Sequence, residues 1–118
     1  MQYNVDYLLD ILQAAELIRT FVNGVSREDF LQDIMRQDAI IRRIEIIGEA
    51  VRRISPDFRA NYPNIAWKDM AGMRSKLIHN YDEVDLNQVW ETVQTDIPAL
   101  ISQIKPLVPP EDNQTPRP

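Results

Sequence analysis

The sequence contains no cysteine, which excludes a disulfide framework, a thiolate nucleophile and any cysteine-based zinc site. Its single histidine, His79, cannot build a His-rich metal site. Metal-independent chemistry without a cofactor is therefore favoured. No run approaches the roughly 20 apolar residues of a membrane span, and the first residues include polar Gln2 and Asn4 where a secretory leader has a basic and then an apolar stretch. These absences predict a cytoplasmic protein that does not enter a membrane. Basic residues are in deficit, 13 against 18 acidic, for a net charge of -5. A deficit of that kind argues at first sight against a nucleic-acid ligand, whose phosphates are neutralised by cations. Strand-like alternation and internal repeats are also missing.

What is present is helical periodicity in a chain long enough for one core. At 118 residues the protein is a single domain. Val5, Leu8, Leu12, Ala15 and Val22, with Leu9 and Ile18 beside them, follow the three-four spacing of one helix face, with Asn4 as a candidate cap and Gly24 as the stop. Ser26, with Asp29 three residues on, marks a second start. Phe30, Ile34, Ile41, Ile44, Ile47, Val51 and Ile54 then predict a helix of about 28 residues, bent near Gln37-Asp38 and stopped at Ser55-Pro56. Gly48 on this helix suggests a close helix approach. A short turn over Pro56–Tyr62, a helix that starts after Asn64 and loosens near Asn80, and a helix opened by Asp85 with Gln88 complete the pattern. Pro98 should kink the last helix. Trp67 and Trp90 fit the apolar stripes and read as core residues. The expected fold is an all-α antiparallel bundle of four to five helices over residues 1–105, followed by a disordered Pro-rich tail over 106–118.

The charge is unevenly distributed. Residues 36–76 hold nine basic and five acidic residues, whereas the rest of the chain holds four basic and thirteen acidic. This polarisation can create a local basic groove in an acidic protein. Inside the basic segment, Glu49 is a candidate partner for Arg52, Arg53 or Arg74, as an ordinary surface ion pair.

The basic segment runs into Arg74-Ser75-Lys76-Leu77-Ile78-His79-Asn80-Tyr81, which reads Arg-x4-His-x-Tyr. Arginine can fork onto a phosphate, histidine moves protons near neutrality and tyrosine offers a modifiable phenol. Ser75 and Lys76 are further candidate phosphate contacts. On an ideal helix His79 lies about 140° around the axis from Arg74, and Tyr81 within about 20° of it. Arg74 and His79 therefore share a site only if the helix unwinds near Asn80 or a second subunit completes the cleft. A helix C-terminus and the nearby Asp82 and Glu83 would favour the imidazolium form of His79. An isolated Arg-x4-His also fits a histidine that merely caps a helix.

The motif resembles the signature of HEPN-superfamily ribonucleases, and its terminal Tyr81 resembles the HepT branch. Ile44-Glu45-Ile46-Ile47-Gly48-Glu49-Ala50 and Asp85-Leu86-Asn87-Gln88-Val89-Trp90-Glu91-Thr92-Val93 look like the same family. Ser75 departs from it, standing where the family often has Asn or another strongly polar residue. The resemblance implies a toxin-like endoribonuclease acting on RNA, with Arg74 and His79 as catalytic residues. It also implies a homodimer with facing motifs, and an MntA-like nucleotidyltransferase antitoxin that adenylylates Tyr81. A non-catalytic nucleotide-binding or interaction subunit of a minimal nucleotidyltransferase is the alternative, and a plain dimeric scaffold is a third reading.

Overall fold

The computed structural model describes residues 2–78 and 83–109, and within them the fold is built from helices packed around one apolar core. Helix α1 (Gln2–Val22) ends at a turn in which Gly24 takes a φ of 75°, a conformation that only glycine adopts without strain. The buried face of α1 centres on Leu8, Ile11, Ala15 and Ile18, while Val5 and Leu9 are only half-buried. The broad buried arc, which also takes in Ala14, follows from contact with two elements, α3 and α8. Asn4 does not cap α1. It is buried within the helix, where its side chain accepts from the Ser55 amide (3.0 Å) and donates to the Ser55 hydroxyl (3.2 Å).

Two helices stand where the apolar pattern predicts one. Helix α2 (Arg27–Leu31) starts at Ser26, whose hydroxyl accepts from the Asp29 amide at 3.1 Å. Helix α3 (Ile34–Arg53) has its own cap, Asp33, which accepts from the Arg36 amide at 3.1 Å. The break thus falls at Gln32-Asp33, before the expected bend, because a short acidic side chain at Asp33 offers the next turn a better start than continuation does. It also resets the helix face. Ile34 is left exposed, and Gln37 and Ile40 take the buried positions, the Gln37 side chain donating to the Phe30 carbonyl at 2.9 Å.

Helix α4 (Pro56–Ala60) is the predicted short turn, capped by Ser55 with Pro56 in its first turn. The segment that follows is divided at Gly72 into α5 (Trp67–Ala71) and α6 (Met73–Lys76), and it ends a turn earlier than expected, with Leu77 as its last cap. Helix α7 (Leu86–Glu91) starts at Asp85, whose carboxylate accepts from the Gln88 amide at 3.2 Å. Pro98, in the first turn of α8 (Ile97–Ile104), has no amide to offer the carbonyl one turn back. The chain accommodates it with a π-helical turn, Thr92–Asp96, immediately before α8. A 3-10 turn, Lys105–Leu107, follows α8, and Leu107 and Val108 pack against the core. The tail boundary expected at Pro106 falls inside this turn; residues 110–118 lie outside the described residues.

The all-α bundle is therefore as expected: α1 lies along α3 and α8, α3 supports α5 and α6, and α2 bridges α3 and α7. No β-strand occurs among the described residues, only an isolated bridge between Ile78 and Val84. Nor is any described helix long and apolar enough to cross a membrane.

The close approach suggested by Gly48 is made by α5. A Cβ at position 48 would sit 3.3 Å from the Ala71 carbonyl oxygen and 3.5 Å from the Arg52 guanidinium, which itself donates to that carbonyl at 2.9 Å. Gly48→Val is expected to destabilise the protein by about 1–3 kcal/mol, since branched methyl groups must displace helix backbone or break the Arg52 contact. Urea unfolding of the two proteins checks this, and an unchanged midpoint would show that α5 yields freely.

Candidate active site around Arg74

Arg74 sits in the middle of α6, three residues beyond the Ala71 carbonyl that Arg52 holds. Because α6 is only four residues long, its backbone cannot fix a side chain well. Contacts from α3 do so instead. The Arg74 Nε donates to Glu45 Oε2 at 3.2 Å, and the other oxygen of that carboxylate, Oε1, lies 3.5 Å from Arg42 Nη1. Arg42 Nη1 also reaches Glu49 at 4.0 Å. Arg74 on α6 and Glu45, Arg42 and Glu49 on α3 thus form a chain of alternating charge. Arg74 and Glu45 are about one-third exposed, whereas Arg42 and Glu49 are more than half exposed.

The single Arg74 contact uses Nε, and neither Nη group has a hydrogen-bond partner among the described residues. A guanidinium held by its Nε edge presents its other donors as a fork suited to two oxygens of a phosphate. Sequence reasoning considers Glu49, not Glu45, as the Arg74 partner. Both face the same side of α3, one turn apart, and a pairing that spans 29 residues is settled only by how α6 docks. The signal that could have singled out Glu45 is its place in Ile44–Ala50, the segment noted for its family resemblance.

The other candidate residues fall into two groups. Ser75 and Lys76 are exposed on α6. The Lys76 ammonium lies 3.8 Å from Asp96, on the π-turn, and is drawn towards that element. His79 and Tyr81 lie outside the described residues. What is described is the frame on either side of them. Leu77 ends the helix, Ile78 pairs with Val84, and the Asp85 amide donates to the Leu77 carbonyl at 2.7 Å. The chain therefore enters and leaves residues 79–82 at neighbouring points. Since Ile78 is already outside the helix, the ideal-helix angles from Arg74 to His79 and Tyr81 do not apply; the helix ends at Lys76, before the expected point near Asn80.

Trp67 is buried and donates through Nε1 to the Tyr62 carbonyl at 3.0 Å, as a core residue should. Trp90 is half-buried against Phe30, with ring centroids 5.3 Å apart. The basic excess of residues 36–76 is partly neutralised within the fold, since Arg36 pairs with Asp33, Arg42 and Arg74 with Glu45, and Lys76 with Asp96. No group of three or more potential metal-binding residues occurs among the described residues.

Comparison with known proteins gives a consistent result. Residues 11–107 match the model of the family described as Ribonuclease HepT-like. The chain is 49% identical over 102 residues to a Thermococcus cleftensis protein named "Probable ribonuclease HepT", covering 86% of this chain and 93% of that protein. It is 43% identical over 105 residues to "Putative RNase TTE0752" of Caldanaerobacter subterraneus subsp. tengcongensis, covering 89% of this chain and 94% of the relative. No solved structure matches the chain.

Proposed function

The chain belongs to the HepT-like ribonuclease family, and from that premise we propose that it is a toxin-like, metal-independent endoribonuclease that cleaves RNA with Arg74 and His79. The relatives' names indicate a ribonuclease. The observation that best supports the reading for this chain is the Arg74 guanidinium, docked on Glu45 by Nε with neither Nη group hydrogen-bonded among the described residues, four residues before Ile78. Cleavage of RNA without a metal requires the 2'-hydroxyl to lose its proton as its oxygen attacks phosphorus. The bond from phosphorus to the 5'-oxygen breaks, and that oxygen takes up a proton. His79 acts as base or acid in these transfers. The Nη fork of Arg74 holds the non-bridging oxygens as negative charge builds on them.

The same reading includes a homodimer in which a twofold axis brings two copies of Arg74 and His79 to one cleft. Its regulator is an MntA-like nucleotidyltransferase antitoxin, which adenylylates Tyr81. The site of action is the cytoplasm. The alternative, a non-catalytic interaction or nucleotide-binding subunit of that nucleotidyltransferase, draws on Ser75, the net charge of -5 and the ion pair on Arg74. Incubating the purified chain with RNA in EDTA separates the two readings. Fragmentation is expected to continue in the chelator and to stop in His79→Ala. Intact RNA with the unmodified protein would favour the non-catalytic subunit.

A further inference from the structure

Resting on the nuclease reading above, we propose that Glu45 is a positioning residue: it orients the guanidinium of Arg74 towards the scissile phosphate without touching the RNA. Three features of the contact carry this. The carboxylate meets Nε at 3.2 Å and leaves both Nη groups, so it steers the fork without occupying it. Its second oxygen lies 3.5 Å from Arg42, which fixes the carboxylate from the far side and lowers its drive to chelate Arg74 more fully. Finally, Glu45 comes from the middle of the 20-residue helix α3, whereas Arg74 stands on a four-residue helix. The longer element lends its rigidity to the shorter. Arg52, two turns along α3, holds the Ala71 carbonyl at 2.9 Å, so the segment that carries Arg74 is tied to α3 at two places.

A side chain with four rotatable bonds on a short helix samples many orientations, and a misplacement of about 1 Å can lower a rate about 100-fold. Losing Glu45 should therefore act on the chemical step. Stability should hardly change, because the pair is about one-third exposed and pairs of that kind contribute little.

The test measures RNA cleavage at varied RNA concentration for Glu45→Ala, Glu45→Gln, Arg74→Ala and Arg74→Lys, and for Glu45→Ala combined with Arg74→Lys. Glu45→Ala is expected to lower kcat about 10- to 100-fold with KM within about threefold. Glu45→Gln, whose amide oxygen still accepts from Nε, should regain most of that loss. Lysine has no Nε–H edge to hold, so adding Glu45→Ala to Arg74→Lys should change kcat little further. Wild-type kcat in Glu45→Ala beside an inactive Arg74→Ala would overturn the positioning role while leaving the nuclease reading standing. So would a loss confined to KM, no recovery in Glu45→Gln, or an equal further loss on the Arg74→Lys background. Full cleavage by Arg74→Ala would instead overturn the nuclease reading itself.

Discussion

Arg74→Ala is expected to lower RNA cleavage by about 10²- to 10³-fold, the usual effect of removing one donor that meets charge developing in a transition state. His79→Ala should lower it by about 10²- to 10⁴-fold through loss of proton transfer. Neither change should unfold the protein. Arg74 takes part in one partly exposed ion pair, whose loss falls within about 1 kcal/mol, whereas the core is held by side chains such as Leu8, Ile44, Leu77 and Ile97 that are fully buried. Circular dichroism alongside the cleavage assay makes the comparison, and activity surviving either substitution would reject the assigned roles. Mixing the two variants tests the shared cleft. Each mixed dimer holds one intact Arg74 and one intact His79, on different subunits. Activity in the mixture but in neither variant alone would require the two to meet across the interface. A mixture as inactive as its components would assign each site to a single chain.

The boundaries of this fold were legible wherever a short-range signal acts alone. Ser26, Ser55 and Asp85 cap the helices that follow them, and Gly24 turns the chain by its positive φ, because each effect is settled within about four residues. Legibility failed where two local signals compete. From Phe30 to Ile34 the apolar spacing continues, yet Asp33 caps a new helix. The interruption rotates Ile34 into solvent, and Gln37 bonds back to the Phe30 carbonyl. At Pro98 the sequence predicts a kink, whereas the structure has a π-turn. The π-turn lies upstream, where the carbonyls that lose a donor are found.

The candidate site divides in the same way. Its residue types could be read directly, since arginine, histidine and tyrosine at this spacing are a compact set for phosphodiester chemistry. Its geometry could not, because Glu45 and Arg74 meet across 29 residues through the packing of α3 against α6, with Gly48 giving the Ala71 carbonyl room to approach. Helical angles from Arg74 were a poor guide for the same reason. Gly72 and the cap at Leu77 confine α6 to one turn, and the bridge from Ile78 to Val84 has already left the helix before His79 is reached.

Co-expression with an MntA-like nucleotidyltransferase is expected to add an adenylyl group to Tyr81 and to silence cleavage. A phenol with its usual pKa of about 10 is mostly protonated at neutral pH, so the transfer needs an enzyme. In that step the tyrosine oxygen bonds to the α-phosphorus of ATP, its proton passes to a base, and the bond to the β-phosphate oxygen breaks to release pyrophosphate. The product carries a phosphodiester charge and a nucleoside only three residues beyond Ile78, whose pairing with Val84 closes the base of the segment. The Nη groups of Arg74 are without a partner among the described residues, and a tethered phosphate is the ligand they suit. Bound there, it would compete with RNA at high effective concentration, while the nucleoside adds bulk at the cleft. Tyr81→Phe should accept no adenylyl group and should go on cleaving RNA in the presence of active partner and ATP. Arg74→Lys should still be modified, since the phenol, not the guanidinium, is the acceptor. Intact mass and peptide mapping read the modification and the cleavage assay reads its effect. Adenylyl mass on another residue, or full silencing of Tyr81→Phe that depends on the partner's catalysis, would defeat Tyr81 as the switch.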